Sequence, residues 1–222
     1  MKKYYLFEMN LFWLQVLSII LLVLMFILTG FIYDGVMLDS FSLKLVFILI
    51  IPYLILHELL HSLAYVLNGA SFKNITYGIH LEKGVMCCLC KQNISKKNIL
   101  ISLLFPFVFI GVITYVIGVL FNNSSLIWLS ILNISGCSGD LMMFLGLLRL
   151  KNFEYSEYDD PVSFGIYTDE DLSKRKMFGL KFIGEKNSLE KNDMRKISIS
   201  KVSIIIFLIF ICLGSLAIFL NQ

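Results

Sequence analysis

The sequence predicts an all-α polytopic membrane protein of about five transmembrane helices, with a small β-hairpin after the second helix and a cytoplasmic insert before the last. Three observations predict it. Of 222 residues, 58% are hydrophobic and only 16% charged, and the mean hydropathy is +0.81, well outside the range of a water-soluble domain. Five apolar stretches, at about 11–33, 43–67, 99–121, 125–150 and 202–220, reach the roughly 20 helical residues that cross a ~30 Å hydrocarbon core. Lys and Arg collect in alternate loops. Nineteen Lys plus Arg against sixteen Asp plus Glu leave too small an excess to neutralise a phosphate backbone, so nucleic acid is not an expected partner.

The first stretch follows Met1-Lys2-Lys3 and imitates a signal peptide. It is too long for one and ends in no small-x-small cleavage site, so 1–42 reads as an N-terminal anchor span with its loop. Basic residues then set the orientation: Lys2 and Lys3, five Lys in 68–98, and ten basic residues in 151–201, against almost none in the intervening loops. Such residues mark the cytoplasmic side, so the expectation is a multi-pass cell-membrane protein with the N-terminus and the insert in the cytoplasm. Residues 43–150 form the expected core. Within it Ile75, Tyr77, Ile79 and Leu81, then Val85, Cys87 and Leu89, alternate around Glu82-Lys83-Gly84, which predicts a hairpin over 75–90. Segment 151–201 balances ten basic against ten acidic residues and reads as a solvated insert. The last span is expected within 202–222.

Five Cys, three of them at Cys87, Cys88 and Cys90, are an odd number in an oily chain, so reduced thiols are expected. The Cys87–Cys90 spacing lacks a second pair and is read as hairpin packing.

Ionisable side chains inside a span cost at least ~2.5–3.5 kcal/mol each at the helix centre. Apart from Lys44 and Arg149 at span edges, the five spans contain only His57, Glu58, His61 and Asp140. Residues four apart share a helix face, so the two imidazoles of His57-Glu58-Leu59-Leu60-His61 reach one ion while Glu58 stands beside them. That arrangement suits Zn²⁺: neutral imidazoles bind the metal and the glutamate takes a proton from water. A catalytic zinc needs a third protein ligand. His57 and His61 lie eleven and seven residues from the span end near 68, about 16 and 10 Å at the helical rise. Asp140 lies ten residues from the end near 150, about 15 Å. One membrane depth therefore holds all three. Asn133, seven residues before Asp140, is a candidate for positioning a substrate carbonyl; the alternative is interhelical hydrogen bonding.

The chain resembles the membrane-bound zincin peptidases, a family similar in core to the site-2 class of intramembrane proteases. The resemblance is carried by His57-Glu58-Leu59-Leu60-His61, the Cys-containing hairpin, Pro106, Ser138-Gly139-Asp140-Leu141, and Asp160-Pro161 with Gly165-Ile166-Tyr167, over about 45–170. It implies a zinc site of His57, His61 and Asp140 with Glu58 as general base. In one respect the chain departs from the site-2 pattern: Gly139 precedes the aspartate instead of following it. The expected function is a zinc-dependent intramembrane or membrane-proximal endopeptidase, with the lipid bilayer and a membrane-protein or peptide substrate as partners. Two alternatives stand beside it: a non-proteolytic metal-binding transporter or sensor, and a structural protein whose polar cluster glues helices together.

Overall fold

The computed structural model of the protein describes residues 2–33, 40–80, 85–157 and 162–186. The expected final span at 202–220 lies outside them. Among the described residues three helices are long and apolar enough to cross a membrane: Leu11–Ile32, Lys44–Leu67 and Lys96–Leu120. A fourth crossing is available if the bent pair Ser124–Gly136 and Ser138–Leu148 counts as one.

Helix α1 (Leu11–Ile32) starts where the Asn10 side chain accepts from the amides of Phe12 and Trp13, satisfying two of the orphan donors of a helix N-terminus. It packs on α5 (Ser124–Gly136) and turns apolar side chains such as Ile19, Val23 and Phe31 outward. Helix α2 (Ser40–Leu67) ends at Gly69, whose φ of +91° lets the chain reverse while the Ala70 amide donates back to Tyr65. The third crossing is not one regular helix. Helix α3 (Lys96–Pro106) passes into a π-helical stretch, Phe107–Ile113, and then into α4 (Thr114–Leu120). Helix α6 (Ser138–Leu148) follows α5 at a 47° bend across Cys137.

The all-α expectation is corrected by a five-stranded sheet of order β4-β5-β6-β1-β7. Its strands are Ile94–Ser95 (β4), Glu154–Glu157 (β5), Ser163–Thr168 (β6), Lys3–Met9 (β1) and Leu180–Lys186 (β7). The N-terminal strand lies inside the sheet, antiparallel to both β6 and β7. Tyr5 and Phe7 are fully buried, as is Ile166, and Phe164 nearly so; the ring of Phe7 lies 6.0 Å from Phe164 and 5.7 Å from Phe182. Thus part of the segment expected to be solvated, 151–186, pairs with the first residues of the chain. The pairing hides in the sequence because β1 is followed almost at once by an apolar helix and its partners, Ser163–Thr168 and Leu180–Lys186, lie near the other end of the described residues.

Strand β1 leads into α1, β4 leads directly into α3, and α6 leads out to β5. The sheet therefore sits at one end of the helices and shares a core with them, in which Tyr5, Phe7 and Phe164 join Ile99, Leu103, Met142 and Leu147. Lys96, at the start of α3, donates to the carbonyls of Leu148 and Leu150 at the end of α6, a cation set against the negative end of a helix.

Two paired strands form within the expected hairpin at 75–90, whose turn at 81–84 lies outside the described residues. Strands β2 (Ile75–His80) and β3 (Val85–Cys90) pair antiparallel, with Ile75 opposite Cys90 and Tyr77 opposite Cys88. The buried face of β3 carries Cys88 and Cys90, not Cys87 and Leu89, because cysteine supplies apolar positions on both faces of the strand.

Candidate metal centre

Helix α2 turns Tyr53, His57 and His61 to one side, one turn apart, while Leu54, Leu59 and Leu63 are exposed on the others. A water-soluble helix does the reverse. Glu58, at 8% exposure, and His61, at 7%, are buried. The Glu58 carboxylate is hydrogen-bonded to the backbone of Cys88 in β3. Ser62, one residue past His61, holds the hairpin to the helix: its hydroxyl bonds the Tyr77 hydroxyl, the Cys88 thiol at 3.3 Å and the Glu58 carbonyl at 3.0 Å.

Asp140 enters from α6. The bend at Cys137 starts a new helix there, with Asp140 in its first turn, where the partial positive charge of the N-terminus favours a carboxylate. Its Oδ2 lies 3.3 Å from His57 Nε2 and 3.5 Å from His61 Nε2, and the two Nε2 atoms are 3.2 Å apart. The side chains of His57, His61 and Asp140 thus meet on one spot.

The outer nitrogens of both rings are engaged. His57 Nδ1 is 2.9 Å from Asn133 Oδ1, and the Asn133 amide is oriented by its own Nδ2, which donates to the Pro106 carbonyl at 3.3 Å. His61 Nδ1 is 2.9 Å from the Ser102 carbonyl oxygen. A carbonyl oxygen only accepts, so in each neutral ring the hydrogen is on Nδ1 and the lone pair is on Nε2. Three electron-pair donors then face one another at 3.2–3.5 Å with no hydrogen between them. A cation resolves this conflict. Zinc bonds of about 2.0–2.1 Å in tetrahedral array set neighbouring donors roughly 3.3–3.4 Å apart, which matches the triangle edges. The donor set fits zinc, and the backing of each imidazole by an oxygen acceptor is what metal-ligating histidines ordinarily have.

Asn133, read from the sequence as a candidate for contacting substrate, has both ends of its amide turned to the protein, behind His57. Cys137 was not singled out from the sequence. His57, Cys137 and Asp140 offer ligand atoms within 4.8 Å of one another. The thiol, however, lies 4.0 Å from His57 Nδ1, the nitrogen that already faces Asn133, so it flanks the triangle of Nε2 and Oδ2 atoms without joining it. Ser102 was missed too, since its contribution is a backbone carbonyl that no residue type announces.

A cavity of about 430 Å³ adjoins the cluster. Its lining includes Ile50 and Leu54 of α2, Cys87, Cys88 and Leu89 of β3, and Met9 and Tyr155 of the sheet. It joins the buried side chains to the end of the molecule that carries the sheet.

The fold and this donor set define a class: a helical protein with membrane-length apolar helices and an inward cluster of two histidines and an aspartate suited to a metal ion. Residues 47–154 match the model of a family described as "Putative zincin peptidase". The match takes in His57, Glu58, His61, Asn133 and Asp140, and leaves out β1, α1, β6 and β7. No curated protein and no solved structure matches the chain.

Proposed function

We propose that the protein is a zinc-dependent endopeptidase that hydrolyses peptide bonds within or next to the membrane. His57, His61 and Asp140 hold the metal, and Glu58 is the general base. The observation that carries this reading is the triangle of Nε2, Nε2 and Oδ2 atoms at 3.2–3.5 Å, backed by two Nδ1 hydrogens that are already donated. Zinc bound there would polarise a scissile carbonyl and acidify a water. Glu58, next to His57 in the chain and buried against β3, takes the proton of the attacking water and passes it to the leaving amine. Asn133 orients the His57 ring, a role its two engaged ends favour over substrate contact.

The apolar outer faces of α1 and α2 support a multi-pass protein in the bilayer, and a histidine pair in one membrane helix with an aspartate from a later one supports kinship with the site-2 proteases. The sheet end gathers Lys2, Lys3, Lys96, Lys151 and Arg175, which favours the cytoplasmic side for it. The substrate is a membrane protein or peptide presented as extended chain, since a helix keeps its carbonyls in internal hydrogen bonds. Strand β3 lines the cavity beside Glu58, and its edge away from β2 suits main-chain pairing with such a segment.

Glu58→Gln tests the reading. The variant should keep one equivalent of zinc in detergent-purified protein and lose about 10²–10⁴-fold in cleavage rate, the range of general-base catalysis. A transporter or sensor would lose nothing by that change. Wild-type turnover in the variant, or wild-type protein that takes up no zinc, would sink the proposal.

A further inference from the structure

We propose that Pro106 is a positioning residue that holds both imidazoles of the metal centre, an inference that rests on the metal-site reading above. In an α-helix the carbonyl of residue i accepts from the amide of residue i+4. For Ser102 that donor belongs to residue 106, and proline has no N–H to give. The next amide, that of Phe107, donates to Leu104. Ser102 is fully buried, so its carbonyl is left without a helix donor in a place closed to solvent, and such a group must be satisfied from elsewhere. His61 satisfies it: Nδ1 is 2.9 Å from the Ser102 oxygen, and the Ser102 hydroxyl donates in return to the His61 carbonyl at 3.3 Å. The missing hydrogen of one residue fixes the tautomer and the direction of one ring.

The carbonyl of the same proline fixes the other. Pro106 O accepts from Asn133 Nδ2 at 3.3 Å, which turns Asn133 Oδ1 to within 2.9 Å of His57 Nδ1. Directly after Pro106 the helix widens into the π-helical stretch Phe107–Ile113, and two more of its carbonyls take side-chain donors from the helices of the site. The Tyr53 hydroxyl of α2 donates to Ile110 O at 2.6 Å, and the Ser130 hydroxyl of α5 to Gly111 O, also at 2.6 Å. Helices α2 and α5 therefore hang from the irregular part of the third crossing, and Pro106 is where the irregularity begins. A proline that only bent the helix would show none of this dependence on its N–H.

The test isolates that one hydrogen. Pro106→Ala restores an amide that competes along the helix axis for the Ser102 carbonyl, whereas lactic acid at position 106, the ester analogue of alanine, offers the same side chain and no N–H. Zinc affinity should fall about 10–100-fold in P106A, the range for loss of a group that supports a metal ligand, and return towards the wild-type value in the ester. Nitrogen-15 spectra of the metal-free proteins should show His61 as the Nδ1–H tautomer in wild type and ester, and a shift to Nε2–H in P106A. Thermal stability of metal-free P106A should not drop, since alanine is the better helix former. An ester as weak in zinc binding as P106A, or a P106A variant that keeps both the affinity and the tautomer, overturns the proposal. Should P106A fail to fold, a wild-type His61 lacking the Nδ1 hydrogen overturns it just as surely. Wild-type protein without zinc affinity defeats the metal reading alone, because the tautomer still reports whether the residue 106 amide controls the ring.

Discussion

The helices bury a cluster of polar side chains alongside their apolar ones, whereas the interior of the sheet is mainly apolar. Around the candidate metal centre the polar groups are inside, with Glu58, His61, Ser62, Ser102 and Asn133 all buried, while Leu54, Leu59, Leu63 and Phe109 face out. In the sheet the aromatic residues Tyr5, Phe7 and Phe164 are inside and charged pairs lie on the surface, Lys2 with Glu154 and Lys3 with Glu185. The outward apolar faces of the helices fit a hydrocarbon surrounding, and the charged surface of the sheet fits water. Apolar surface gains nothing by leaving hydrocarbon, so the helices are held by hydrogen bonds and close packing; the sheet is held by the withdrawal of aromatic area from water.

The largest effect should come from breaking the polar interior. Asp140→Ala removes the carboxylate that approaches both imidazoles and leaves two nitrogen ligands where a zinc site needs at least three. Elemental analysis should fall from one equivalent of metal to none, with helical content by circular dichroism unchanged, because no apolar packing is lost. Full zinc occupancy in D140A would remove Asp140 from the ligand set.

Phe7→Ala breaks the apolar interior of the sheet and should have a smaller and different consequence. Truncating a fully buried Phe costs about 3–5 kcal/mol, read as a drop in unfolding stability in detergent. Metal stoichiometry should survive in the folded fraction, since none of the donors belongs to the sheet. A variant that unfolds no more easily would mean that the sheet contributes little to the stability of the helical part.

The same difference explains what the sequence makes legible. His57, Glu58, His61 and Asp140 stand out because an ionisable residue in an apolar run is costly and therefore conspicuous, and rise per residue is enough to bring both histidines and Asp140 to one depth; the Asp140 carboxylate lies 3.3 Å from His57 and 3.5 Å from His61, across α2 and α6. The 75–90 hairpin is legible because its two strands are local. Strand β1 is not, since Lys3–Met9 reads as a preface to the apolar helix behind it, and only pairing with Ser163–Thr168 and Leu180–Lys186 makes it a strand. The bend at Cys137 and the π-helical stretch after Pro106 are equally hidden, because both arise from how helices meet and not from composition. Support for the imidazoles is half legible: Asn133 is a visible polar residue in a span, whereas the Ser102 carbonyl emerges only once a proline four residues on is seen to withhold a hydrogen.

The smallest effect belongs to the sheet surface. The Lys2 ammonium bonds Glu154 across the sheet and holds its carboxyl below the ordinary value of 4.5. A group whose pKa is depressed on folding stabilises the fold above its unfolded value and ceases to do so as pH falls through the folded one. The contribution should therefore be constant at neutral pH and disappear below about pH 4.5. Both side chains are largely exposed, at 51% and 41%, so solvent screening leaves little of it. Glu154→Gln should leave stability at pH 7 almost unchanged, reduce its pH dependence slightly below about pH 4.5, and lose even that in high salt. Its value lies in contrast with D140A: two carboxylates, each beside basic groups, one in an exposed surface pair and one in the polar interior of the candidate metal centre. A pronounced loss of stability or of zinc in E154Q would show that the sheet is coupled to the helices through this pair, and the two-solvent division would have to be redrawn at β5.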